Sequence, residues 1–121
     1  MFKEALSKII EKTEGATGAL IMGTDGIAVE KVFLPEGSET NMDVAAAEVT
    51  SLVRSAARAG GSTGLGGLRE LVISYEGMQI VARVFTADYF VVLTLQPDGN
   101  LGRGRFELRK AELELAREFA L

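Results

Sequence analysis

Residues 89–95, Tyr-Phe-Val-Val-Leu-Thr-Leu, are apolar at almost every position. A β-strand sends alternate side chains to opposite faces, so a strand without a polar face must be covered on both sides. This segment therefore predicts a strand near the middle of a sheet, with helices above and below. With 121 residues, the chain can bury roughly two-thirds of its unfolded surface, enough for one core, and a single domain over 1–121 is expected.

Three segments offer the helical cover. Phe2, Ala5, Leu6, Ile9 and Ile10 recur at helical spacing opposite Lys3, Glu4, Lys8, Glu11 and Lys12, predicting an amphipathic helix that ends near Gly15. From about Gly104 onward, Phe106, Leu108, Ala111, Leu113, Leu115, Ala116 and Phe119 set the same period among many charges and predict a closing helix. Between them, residues 42–59 predict a third helix, capped by Thr40 or Asn41, with Asp43 in its first turn and Gly60-Gly61 as its stop. Met42, Ala45, Ala46, Val49, Leu52, Val53 and Ala56 form one stripe of it, while Val44, Ala47 and Ala57 fall outside. A helix apolar on more than one side needs cover on more than one side, and in so short a chain the second cover is expected to be another protein molecule.

The remaining apolar runs read as strands. Residues 17–22 and 27–33 flank Gly23-Thr24-Asp25-Gly26, whose Asp-Gly pair suits a hairpin turn, and Glu30 and Lys31 give the second run the character of a sheet edge. Residues 34–40, with Pro35 and Gly37, read as a loop. Residues 68–75, 78–85 and 89–95, joined by Glu76-Gly77 and Thr86-Ala87-Asp88, form an antiparallel meander, and 96–100 a turn. The predicted order is helix, two strands, helix, three strands, helix.

Composition excludes more chemistry than it suggests. The chain has neither cysteine nor histidine, which removes disulfides, thiolate metal sites, the commonest general base and the usual imidazole ligand. With 13 basic against 17 acidic residues the net charge is -4, so no general pull toward nucleic acid is expected. No apolar run approaches the ~20 residues of a membrane span, and a cytoplasmic protein is expected.

The glycine-rich run 60–67, Gly-Gly-Ser-Thr-Gly-Leu-Gly-Gly, invites a phosphate-loop reading, but it runs from helix to strand and lacks a lysine. Arg54 and Arg58, with Glu48, Ser51 and Ser55, mark a polar side of the middle helix, readable as a solvated face or as a surface for a partner. Arg69, Glu70 and Arg83 interrupt apolar strands, where pointing to solvent or pairing across strands is the ordinary role. Glu107, Glu112, Glu114 and Glu118 alternate with Arg105, Arg109, Lys110 and Arg117 as on a salt-bridged helix surface. No catalytic residue, metal ligand or cofactor site is assigned.

The element order, together with Gly18-Ala19-Leu20-Ile21-Met22, the Asp25-Gly26 turn, the alanine-rich middle helix and the Glu76-Gly77 hairpin, resembles the Roadblock/LC7 family over nearly the whole chain. Within it, the chain looks most like the bacterial MglB-type members that regulate small Ras-like GTPases in cell polarity and motility. The resemblance implies an α+β, profilin-like fold, with a five-stranded antiparallel sheet in order 2-1-5-4-3, the first and last helices on one face and the middle helix on the other. It also implies a homodimer paired through the middle helix and third strand, which makes Ala45, Val49, Leu52, Val53, Ala56, Leu71 and Ile73 the candidate dimer interface. Glu48, Ser51, Arg54, Ser55 and Arg58 are the candidate partner-binding surface. MglB-type activation is expected to reorganise the GTPase's own residues, without an inserted arginine. A non-catalytic scaffold in a larger signalling or motility assembly is the alternative, and a small-molecule sensor a third.

Overall fold

In a computed structural model, residues 2–34 and 39–120 are described, with the side chains of 45–120 but not of 39–44. The order is α1 (Phe2–Lys12), β1 (Ala16–Gly23), β2 (Ala28–Phe33), α2 (Glu39–Ser62), β3 (Glu70–Ser74), β4 (Gln79–Val84), β5 (Tyr89–Leu95) and α3 (Leu101–Ala120). The five antiparallel strands run β2-β1-β5-β4-β3, so the doubly apolar β5 is central and β2 and β3 are the edges.

Each sheet face has its own core. On one, Ala19, Ile21, Val81, Val91, Leu93 and Leu95 pack with Leu6, Ile9 and Ile10 of α1 and Leu108, Ala111 and Leu115 of α3. On the other, Leu20, Met22, Phe33, Ile80, Ala82, Phe90 and Val92 pack with Ala46, Val49 and Val53 of α2. At the far end of α3, Phe119 stacks on Phe2 with ring centroids 4.8 Å apart and packs at a tilt against Tyr89 at 4.1 Å, joining both helices of that layer to β5.

The first hairpin turns as its sequence requires: Gly26 takes φ 89°, the Gly23 amide donates to Ile27 O at 2.9 Å, and Asp25 Oδ1 accepts the Ile27 amide at 3.0 Å.

Three boundaries differ from the sequence expectation. The middle helix already begins at Glu39, so Thr40 and Asn41 lie inside its first turn rather than capping it. It also runs through Gly60-Gly61 to Ser62. The residue that ends it is Gly64, left-handed at φ 76°, after which the Leu65 amide reaches back to Gly60 O at 2.9 Å. That is a Schellman closure, and the two earlier glycines are tolerated inside the helix. The closing helix starts at Leu101 because Asn100 Oδ1 accepts the Arg103 amide at 3.0 Å and caps it. Gly102, which the sequence leaves outside the helix, and Gly104, which reads as its start, both belong to its first turn.

Gly104 is where α3 comes closest to the sheet. A Cβ there would lie 2.8 Å from Leu93 Cδ2 and 3.3 Å from Thr13 Cγ2. Gly104→Val is expected to lower stability by about 1–3 kcal/mol through overpacking, read from the urea midpoint. An unchanged midpoint would show that α3 does not need this approach.

Candidate functional site

Helix α2 presents three faces. Ala46, Val49 and Val53 turn to the sheet and are buried. About a quarter turn round lie Ala45, Leu52, Ala56 and Ala59, of which Leu52 is 45% exposed. Opposite the sheet, Glu48, Ser51, Arg54, Ser55 and Arg58 are all exposed.

The stripe read from the sequence is therefore divided. Val49 and Val53, placed in the dimer interface above, belong to the chain's own core, because the sheet takes the helix's most apolar line. Leu52 and Ala56 remain on the flank. Ala56 and Ala59 line a groove with Gly60, Leu65, Leu68 and Arg69, which places that flank on the β3 side of the sheet. There Leu71 and Ile73 face the same core as α2 but are only half-buried, since β3 has a single sheet neighbour. Leu52, Ala56, Leu71 and Ile73 thus border one incompletely covered corner. Leu65, at the end of the glycine-rich loop, projects into solvent beside it and was not singled out from the sequence.

That loop is the C-terminal closure of a helix. The Leu65 and Gly66 amides both donate to Gly60 O, at 2.9 and 3.2 Å. A helix C-terminus carries partial negative charge and offers carbonyls, the opposite of what a phosphate needs.

The edge strand is tied down by ions. Arg83 donates to Glu70 Oε2 at 3.3 Å and to Glu112 Oε1 at 3.1 Å, and Arg105 Nε donates to Glu70 Oε1 at 2.5 Å. Glu70 and Arg83 face each other in the β3–β4 register, and their side chains are only 12% and 13% exposed. The network thus locks β3 to β4 and to α3. Cross-strand pairing was one of the two ordinary roles open to Glu70 and Arg83, solvent exposure being the other; the reach of Glu112 and Arg105 across from α3 was not expected, because sequence spacing carries no information on that distance. Glu107, expected on a charged surface, is instead buried and held by Arg103 at 2.7 Å.

Among the described residues no three acidic side chains converge as a metal site would require, and no helix is long and apolar enough to cross a membrane. The architecture is that of a small α+β domain.

The chain belongs to the Roadblock/LC7 domain family, whose profile matches residues 2–96 and leaves α3 outside the match. Among solved structures it is similar to MglC from Myxococcus xanthus, at 32% identity with a TM-score of 0.74, covering 97% of this chain and 98% of that one. It also resembles the gliding protein MglB from Thermus thermophilus, at 22% identity and a TM-score of 0.83, covering 95% and 85%. A Roadblock/LC7 domain from Streptomyces avermitilis superimposes with a TM-score of 0.85 at 15% identity, covering 98% and 97%. No curated protein sequence matches it.

Arg83→Met leaves Glu70 and Glu112 short of a partner and is expected to cost about 1–3 kcal/mol. Thermal and urea unfolding measure this, and hydrogen exchange should show faster opening at β3 than at β1. Equal protection of the two strands would separate the network from the edge.

Proposed function

We propose that residues 1–121 form one Roadblock/LC7 unit that pairs with a second copy and regulates a Ras-like small GTPase in the cytoplasm, acting as an activator. The observation that carries the reading is the pair of incompletely covered apolar surfaces on one side of the sheet, Leu52 and Ala56 on the flank of α2 and Leu71 and Ile73 on the free β3 edge. An edge strand with apolar neighbours is a template for another strand, and a two-fold contact needs only one such patch on each protomer. The likeness to MglC and MglB supports the choice of a GTPase as the partner, in keeping with the MglB-type pattern in the sequence.

In this arrangement Ser51, Arg54, Ser55, Arg58 and Glu48 face away from both sheets and receive the GTPase. GTP hydrolysis depends on electrostatic stabilisation of the transferring phosphoryl group and on positioning of the attacking water. The regulator supplies geometry: it holds the GTPase's own switch segments in place, and Arg54 and Arg58 act as contacts.

Three variants separate the faces. Leu52→Glu is expected to keep the melting profile but sediment as a monomer at micromolar concentration, whereas Val49→Asp unfolds the chain. Arg54→Ala combined with Arg58→Ala should leave the dimer intact and weaken GTPase binding about tenfold, ~1.4 kcal/mol. The direct test is single-turnover GTP hydrolysis by a Ras-like GTPase encoded beside this protein, with and without it. Binding with no change in rate assigns the protein as a non-catalytic scaffold, and a wild-type monomer removes the proposal.

A further inference from the structure

Helix α3 buries one line, Gly104, Leu108, Ala111 and Leu115, and turns the opposite line to solvent. At 100° per residue that outward stripe is Arg103, Phe106, Arg109, Lys110, Leu113 and Arg117. It contains four cations, two large apolar side chains and no carboxylate, in a chain whose net charge is -4. The helix's four glutamates sit elsewhere: Glu107 and Glu112 are taken up in ion pairs, and Glu114 and Glu118 lie toward α1.

The apolar members are not covered by the fold. Leu113 is 73% and Phe106 48% exposed, and they stand two turns apart on one line. Arg103 lies over the Phe106 ring, its guanidinium carbon 5.5 Å from the centroid. Arg109 and Arg117 carry no ion pair among the described residues. Lys110 has another cation, Lys12 of α1, as its close neighbour, and Lys110 is the main cause that holds the Lys12 ammonium below the usual lysine range. Arg103 is paired with Glu107 and Lys110 borders the α1 groove that Glu114 and Glu118 also line, so the positive charge without an ion pair among the described residues is that of Arg109 and Arg117.

We propose that this stripe is a docking ridge for an acidic amphipathic helix of a partner protein, with carboxylates flanking two apolar residues spaced like Phe106 and Leu113. The width of the charged strip favours a protein segment over an anionic membrane. Beside the ridge, Glu4 of α1 lines the groove shared with α3, and α1 exposes Glu11 as well among its lysines, so a broad anionic surface meets mixed charge and a net negative body. A helix lying along α3 meets chiefly the cations and the two apolar anchors, with the exposed Glu114 at the border toward α1. The ridge lies on the sheet face opposite α2, so it is accessible whether or not α2 is occupied, and it does not depend on the GTPase reading.

The test is fluorescence anisotropy of the full chain against a labelled synthetic helix carrying two leucines at that spacing on a glutamate-rich face, beside a scrambled peptide of identical composition. Saturable binding of the patterned peptide alone is expected, falling with added salt. Arg109→Glu with Lys110→Glu, and separately Leu113→Ser, should each weaken it at least about tenfold. All three positions are exposed, so the melting profile should not move, and Arg109→Lys should retain binding. Absence of patterned-peptide binding, equal binding of the scrambled peptide, or insensitivity to both variants overturns the proposal. Co-sedimentation with phosphatidylserine vesicles that Arg109→Glu with Lys110→Glu abolishes also overturns it, in favour of a lipid surface.

Discussion

The structure depends on one strand that cannot face water on either side. Because β5 is buried over both faces, both faces of the whole sheet must be closed, and the chain has three helices to do it. Five strands spaced ~4.8 Å apart span roughly 19 Å, and a helix covers about 10 Å of that. Two helices therefore close the α1/α3 side. One helix leaves about half of the other side to be covered from elsewhere, and the deficit falls at β3, where Leu71 and Ile73 remain half-buried. The exposed apolar corner is a consequence of sheet width, independent of any feature specific to α2.

An open edge of this kind needs to be held in shape. The ions that hold it come from the opposite layer: Glu112 and Arg105 of α3 reach Arg83 and Glu70, so the helix that seals one face also sets the border of the other. Desolvation opposes this arrangement, since Glu70 and Arg83 are nearly buried, so the network's net contribution to stability is small compared with the cost of removing one partner from it. A strand fixed in register and position is what a contact with a second molecule requires.

Much of this was legible in the sequence. The eight elements follow from periodicity and turn residues, and the central place of β5 follows from its missing polar face. What could not be read was how the middle helix shares out its apolar residues. The seven-residue stripe looks continuous on a wheel, yet Val49 and Val53 are taken up by the sheet while Leu52 and Ala56 are not, and only the helix's rotation against the sheet decides which. Helix ends failed for a related reason. Gly60-Gly61 reads as a stop, whereas it sits inside a helix closed later by Gly64, and Gly104, which reads as the start of the closing helix, lies a turn inside it and allows close contact with Leu93. Glycine marks both an end and a close approach, and composition does not distinguish them.

The angular separation of the α2 faces bears on how the proposed pairing would work. The apolar flank points sideways toward the β3 edge, and the polar face points away from the sheet. If two copies meet through the flanks, the two-fold axis runs between the helices and their polar faces come to lie side by side on one surface. A single exposed pair such as Arg54 and Arg58 contributes little on its own, because solvent screens it. Two copies on one platform double the number of contacts without any new residue, and they present them on a support fixed by β3. A regulator built this way needs no catalytic side chain of its own, since its contribution to the reaction is the relative placement of groups that belong to the partner.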